Sequence, residues 1–251
     1  LAMEQRGLDS LRTAAADAEA GAGIRLDVVH FAPPVTAPGK IVAIGVNYRA
    51  HAEETASVPS TSPLMFAKFP TSIIGHRAPI RWDPRLTGQV DYEAELGVVI
   101  GRRARRVSPE AALSYVFGYT CINDVSARDL QARDGQWVRA KSLDTFCPMG
   151  PVVVTADEIP DPQALDIACY LNGDQVQHAS TGDMLFTVAA LIAACSEAFT
   201  LEPGDIIATG TPSGIGAART PQRFLGVGDE VVVEIDGVGR LQNTCVPDPM
   251  A

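Results

Sequence analysis

Two glutamates inside an apolar run limit this chain more than any other feature. Glu93 and Glu95 fall within residues 90–100, Val-Asp-Tyr-Glu-Ala-Glu-Leu-Gly-Val-Val-Ile, which reads as a buried strand. Residues i and i+2 of a strand point to the same face, so the two carboxylates are expected side by side. Like charges at that spacing repel, and burial disfavours both ionised forms. A fold containing this strand must offset that cost with a proton, with Arg or Lys, or with a divalent cation. Asp124 follows in residues 119–126, Tyr-Thr-Cys-Ile-Asn-Asp-Val-Ser, again among apolar neighbours. Three oxygen donors with no His or Cys beside them suit Mg²⁺ or Mn²⁺. The pattern leaves one alternative open, an edge strand whose glutamates pair with Arg102, Arg103 or Arg105.

The chain has 251 residues and is 46% hydrophobic, enough for one sizeable core. Its net charge is −10 with no strongly basic stretch, so no nucleic-acid partner is expected. An acidic protein that handles an anion must supply positive charge locally. The five cysteines are scattered and lack Cys-x-x-Cys spacing, which fits small core residues in a reducing cytosol. A cytoplasmic location is therefore expected. No membrane partner is expected either, because the apolar stretch 184–199 holds Thr187, Ser196 and Glu197 at helical spacing. The first residue is Leu1, as in a truncated or processed chain.

Residues 3–20 read as a helix ended by Gly21-Ala22-Gly23, and residues 32–40 as a stiff Pro-rich linker. Residues 1–40 thus form a short N-terminal segment ahead of a domain over 41–251. Strands are expected at 41–46, 64–68, 87–101, 117–122, 151–155, 167–171, 206–209 and 230–235. A short helix or lid is expected at 47–54, then a mobile stretch over 55–63. Ser108-Pro109 starts a helix to about Tyr115, and residues 184–199 form an amphipathic one. Asn172-Gly173 and Asp236-Gly237 are hairpin signals. Many short strands and few helices indicate a β-rich α+β fold.

Several side chains suit chemistry. His51 and Glu54 are three apart and share a helical face, so the pair can act as a general base or be an ordinary surface pair. His30 and His178 look structural. Arg128 could clamp a carboxylate bidentately, with Gln131 on the same helical face. Lys141 enters an apolar segment, where a lysine is either paired or catalytic. Residues 210–216, Gly-Thr-Pro-Ser-Gly-Ile-Gly, lack the spacing of a P-loop or dinucleotide fingerprint. Their N–H groups and the Thr211 hydroxyl could hold a carboxylate.

Five motifs come in one order: Asn47-Tyr48-x-x-His51-x-x-Glu54, Asp91-Tyr92-Glu93-x-Glu95-Leu96, residues 123–131, Lys141-Ser142 and Gly210-Thr211-Pro212-Ser213-Gly214. Together they closely resemble the fumarylacetoacetate hydrolase family over about residues 41–246. The resemblance implies a rolled, mixed sheet, a homodimer, and Mg²⁺ or Mn²⁺ held by Glu93, Glu95 and Asp124. It implies that His51 and Glu54 activate water from a lid, and that Lys141, Arg128, Gln131 and Thr211 contact substrate. Fumarylacetoacetate hydrolase proper carries a sizeable N-terminal domain, whereas only about 40 residues precede the core here. The chain is more similar to the smaller members, the acylpyruvases, oxaloacetate decarboxylases and hydroxymuconate-type isomerase/decarboxylases.

The substrate expected from this is a small 2-oxo acid whose enolate is stabilised by the metal. Hydrolysis of a 2,4-dioxo acid such as an acylpyruvate or fumarylpyruvate is the first expectation, because a complete His51–Glu54 dyad is superfluous for bare decarboxylation. The alternatives are decarboxylation of oxaloacetate, or isomerisation of a 2-hydroxyhepta-2,4-diene-1,7-dioate-type diacid.

Overall fold

The apolar runs pair into two main sheets. The computed structural model describes residues 5–17, 25, 28–58 and 60–248. Its strands are β1 (Ile41–Gly45), β2 (Leu64–Lys68), β3 (Ile73–Ile74), β4 (Ile80–Trp82), β5 (Val90–Asp91), β6 (Ala94–Ile100) and β7 (Val116–Asn123). They continue as β8 (Ser126–Ala127), β9 (Cys147–Thr155), β10 (Asp166–Leu171), β11 (Asp174–Ser180), β12 (Ile206–Ala208), β13 (Glu230–Ile235) and β14 (Gly239–Pro247). The helices are α1 (Gln5–Asp17), α2 (Arg49–Glu54), α3 (Pro109–Ala112), α4 (Arg128–Asp134), α5 (Val138–Lys141) and α6 (Val188–Ala198).

A seven-stranded mixed sheet runs β2-β1-β12-β6-β7-β9-β3, curled into a half-barrel. A five-stranded sheet, β11-β10-β13-β14-β4, lies over one face, and β5 pairs with β8 apart from both. The expected β-rich α+β fold with a rolled sheet is what forms. Strand β6 is central and buried along its whole length. Leu96, Val98 and Ile100 enter the main core with Cys169 of β10, Val233 of β13 and Leu191 of α6. Val99 enters a smaller core on the opposite face, with Ile122, Ile206 and Cys147. Each such buried aliphatic side chain contributes about 1.5–3 kcal/mol, so both faces fix the strand.

That alternation places Glu95 on the face of Val99, opposite Ile122 of β7. One correction concerns Glu93, which is not on the strand. The ladder stops at Ala94, and the Glu93 N–H donates to the Asn123 side chain at 3.0 Å. The Asp124 N–H donates to the Glu93 carbonyl at 2.9 Å. The carboxylates therefore gather at a sheet end, where backbone irregularity lets them converge.

Other boundaries moved for visible reasons. The helix expected over 184–199 begins at Val188, because the Thr187 hydroxyl caps it by accepting the Ala190 N–H at 3.2 Å. Met184 instead bridges to Tyr48. Strand β9 begins four residues before position 151, at Cys147, and β11 forms the returning arm of the 172–173 hairpin. Residues 55–63 hold no helix or strand among the described residues. The expected helix stop at 21–23 lies outside the described residues. All five cysteines are buried and free.

Candidate metal centre and active site

Glu93, Glu95 and Asp124 are buried, and each offers a carboxylate oxygen within 4.8 Å of the others. At that distance each like pair costs roughly 3–4 kcal/mol at an effective dielectric of 20. Lysines answer the repulsion. Lys141, at the end of α5, reaches Glu93 Oε2 at 2.8 Å and Asp124 Oδ2 at 2.9 Å. Lys68, at the end of β2, reaches Asp124 Oδ1 at 2.6 Å and also donates to the Lys141 carbonyl. Arg128 opens α4 and places Nη2 at 2.7 Å from Glu93 Oε1. Its Nε donates to Asp91 at 2.9 Å and its Nη1 to Gln131 Oε1 at 3.0 Å.

The alternative pairing with Arg102, Arg103 or Arg105 does not form. Arg102 stacks on Tyr115, Arg103 meets Glu202, and Arg105 donates to the Ser196 and Glu197 carbonyls. The Arg128 fork, expected to clamp a substrate carboxylate, is occupied by Asp91, Glu93 and Gln131.

The two glutamates titrate in opposite directions. Burial alone would raise the Glu93 pKa, but Lys141 and Arg128 outweigh it and hold its carboxyl down at about 2. Glu95 lacks such a partner. Burial, then Asp124 and Glu93, push it well above the usual carboxylate range. Burial would lower Lys141, but Asp124 and Glu93 raise it, so it stays an ammonium.

The Gly-rich loop does hold carboxylates, but they are the protein's own. Gly210 N–H donates to Glu95 Oε2 at 2.9 Å, and Gly214 N–H to Glu54 Oε2 at 2.8 Å. Gly216 and Ala217 N–H groups donate to the two oxygens of Asp91 at 2.8 and 3.0 Å. Glycine is needed for this path. Gly210 (φ +96°) and Gly214 (φ +105°) take the left-handed region, and a Cβ on Gly214 would lie 2.1 Å from the Val176 carbonyl oxygen. Thr211 accepts from Gln177 Nε2 at 2.8 Å, which leaves its own proton to donate.

His51 and Glu54 form their pair, with Nδ1 and Oε1 2.8 Å apart. An ionised carboxylate only accepts, so Nδ1 is assigned the proton and Nε2 is the basic nitrogen. His51, Glu93, Arg128, Gln131, Lys141 and Thr211 all line one cavity of about 240 Å³. Ile44, Phe66, Trp137 and Ile215 complete its apolar wall. Every residue singled out in the sequence for this site thus lies in the cavity wall or directly against it. His30 and His178 lie elsewhere on exposed positions.

Residues 40–246 match the family described as fumarylacetoacetate (FAA) hydrolase C-terminal. The chain belongs to the fumarylacetoacetate hydrolase family. It is 46% identical over 222 residues to "Oxaloacetate tautomerase YisK" of Bacillus subtilis, covering 87% of this chain and 73% of that protein. Among solved structures it resembles a putative HpcE protein from Mycobacterium smegmatis, with TM-score 0.86, 38% identity and coverage of 96% and 86%. It also resembles a 5-carboxymethyl-2-hydroxymuconate delta-isomerase from the same organism, with TM-score 0.79, 40% identity and coverage of 91% and 86%. It is also similar to a fumarylacetoacetate hydrolase from Exiguobacterium antarcticum, with TM-score 0.81, 41% identity and coverage of 91% and 85%. The chain is an enzyme of this family, with tautomerases and isomerases among its relatives.

Members of the family typically use a divalent metal, and the donor set here fits one. Three hard oxygen donors converge, and burial with Asp124 and Glu93 drives Glu95 towards its neutral form despite the nearby Lys141. Asp91, Glu93, Glu95 and Asp124 are four carboxylates set against three cations, Lys68, Arg128 and Lys141. A dication reverses that excess and makes the wall attractive to an anion.

Reasoning from sequence missed three contributors. Lys68 closes a strand that looked ordinary, yet it is 1% exposed; a lysine ending an apolar strand was the available signal. Asp91 lay in the quoted motif but was given no role, and it anchors both Arg128 and the loop. Gln177 holds the Ala94 N–H, Thr211 and the Pro212 carbonyl, and nothing local marks it.

Proposed function

We propose that this protein catalyses proton transfer at C3 of a small 2-oxo diacid, with oxaloacetate keto–enol tautomerisation as its type reaction. The observation that carries this is the His51–Glu54 pair facing the carboxylate cluster across one small cavity. The volume, about 240 Å³, falls below the roughly 300–1,000 Å³ of pockets for drug-sized ligands. The similarity to oxaloacetate tautomerase and to the isomerase supports the same reaction class.

His51 Nε2 accepts the C3 proton, and the C–H electron pair forms the C2–C3 double bond. Glu54 fixes the tautomer and stabilises the imidazolium. Lys141 presents an ammonium to the 2-oxo oxygen as its charge grows, and the His51 imidazolium then gives the proton taken from C3 to that oxygen, completing the enol and restoring the neutral base. Thr211 donates its hydroxyl proton to a substrate carboxylate, while Arg128 and Gln131 form the polar wall behind it. Glu93, Glu95 and Asp124 would hold Mg²⁺ or Mn²⁺, which would supply Lewis-acid polarisation of the 2-oxo group. Similarity to the family also supports a homodimer, and the free, buried cysteines support the cytoplasm.

Hydrolysis of a 2,4-dioxo acid is the second reading, because the same dyad could activate water. Acetylpyruvate and oxaloacetate, each given to the enzyme with Mg²⁺ under full mass balance, separate the two. Enol–keto interconversion of oxaloacetate without acetate release from acetylpyruvate is expected. Stoichiometric acetate plus pyruvate would transfer the assignment to hydrolysis.

A further inference from the structure

Trp137 lines the cavity and is linked to the carboxylate cluster through Phe66 and Lys141. From the cluster outward, Lys141 Nζ lies 5.3 Å from the Phe66 ring centroid. The Phe66 and Trp137 rings then meet at 5.3 Å and 69°. The Trp137 ring ends against Gly45 of β1, where a Cβ would lie 2.5 Å from its Cζ3. Glycine at 45 is thus what admits the indole. Trp137 caps α5, and its carbonyl accepts the Lys141 N–H at 3.0 Å. One short helix therefore carries both the substrate-facing ammonium and the aromatic wall.

Arg128 and Lys141 are the cations lining the cavity, and both are paired within the carboxylate cluster. A second carboxylate on a short diacid stays near them. On a longer diacid it would meet Phe66 and Trp137, where no lining cation could repay its desolvation.

We infer that Trp137, backed by Phe66, limits the site to short 2-oxo acids of about four or five carbons and excludes the seven-carbon diacids. This rests on the tautomerase reading above and selects among its substrates. Removing the ring opens the wall towards Gly45 and admits longer chains.

The test is calorimetric binding of the 2-oxo diacid series from four-carbon oxaloacetate to seven-carbon 2-oxopimelate, with Mg²⁺ present, to wild type, Trp137→Ala and Trp137→Phe. The wild type should prefer the four-carbon over the seven-carbon acid by at least about tenfold. That ratio should collapse towards unity in Trp137→Ala and fall partway in Trp137→Phe, which keeps an aromatic ring against Phe66. Equal wild-type binding across the series, or an unchanged ratio in both variants, would overturn the inference. If wild type still interconverts oxaloacetate while the ratio stays fixed, only the role of Trp137 falls. If it neither binds the series nor interconverts oxaloacetate, the tautomerase reading falls with it.

Discussion

The Gly214 N–H donates to Glu54 Oε2 at 2.8 Å, while Glu54 Oε1 faces His51 Nδ1 at the same distance. Glu54 thus ties His51 on α2 to the Gly-rich loop. The same loop holds Glu95 and Asp91, so the proposed base, a proposed metal ligand and the anchor of Arg128 share one backbone frame. Glu54→Ala should lower kcat on the order of 10²-fold or more while leaving Mg²⁺ affinity near the wild-type value. Steady-state kinetics beside metal titration checks this, and a parallel loss of metal would show that the loop, not the base, was damaged.

Glu95→Gln should separate stability from function. In the metal-free protein Glu95 is held towards its neutral form by burial and by Asp124 and Glu93. The neutral amide removes that penalty, so metal-free Glu95→Gln should melt higher than wild type near pH 7. A gain of about 1 kcal/mol corresponds to roughly 2–4 °C at this chain length. The same variant should lose Mg²⁺ binding by calorimetry.

Glu93 gives stability a defined acid limb. Its carboxyl sits at about 2 in the fold against an ordinary 4.5. A depressed carboxylate contributes stability that is complete above its unfolded value and is lost as pH falls through the folded one. About 3 kcal/mol should therefore disappear between pH 4.5 and 2. Glu95, being raised, acts with opposite sign at higher pH, its contribution falling as pH rises past 4.5. Chemical denaturation in EDTA across this range should show a steep acid limb for wild type and a flatter one for Glu93→Gln.

Lys68→Met tests the buried lysine. It removes one of two ammonium groups on Asp124. Breaking a buried pair from one side costs roughly 3–5 kcal/mol, and the remaining Lys141 contact puts this variant at the low end. Denaturant midpoints should fall accordingly, and Mg²⁺ affinity should fall with them, because Asp124 Oδ1 loses the group that orients it.

Much of the site was legible because its chemistry is local. His51 and Glu54, and Arg128 and Gln131, each lie three residues apart, so helical periodicity placed them together. Glu93 and Glu95 lie two apart, but Glu93 leaves the strand and the pair converges through backbone irregularity at the sheet end. The long-range pairings were not legible. Lys68 meets Asp124 across 56 residues, and Glu54 meets Gly214 across 160; no spacing rule links such positions. The Gly-rich loop was recognised as a carboxylate holder, yet which carboxylates it holds depends on how β12 delivers it beside β6. Strand β9 runs back past the expected start at Pro151 to Cys147, through Pro148 and Gly150, residues that do not mark a strand by pattern. The strand β11 was hidden by polar residues, although its buried Gln177 braces the site.

The most direct test is the rate of enol-to-keto conversion of oxaloacetate, followed by loss of enol ultraviolet absorbance above the buffer rate. Wild type with Mg²⁺ should accelerate it, and both EDTA treatment and His51→Ala should return it close to the buffer rate, with pyruvate and carbon dioxide absent at matching turnover. Full acceleration in His51→Ala, or no acceleration by the metal-loaded wild type, would contradict proton transfer by the His51–Glu54 pair.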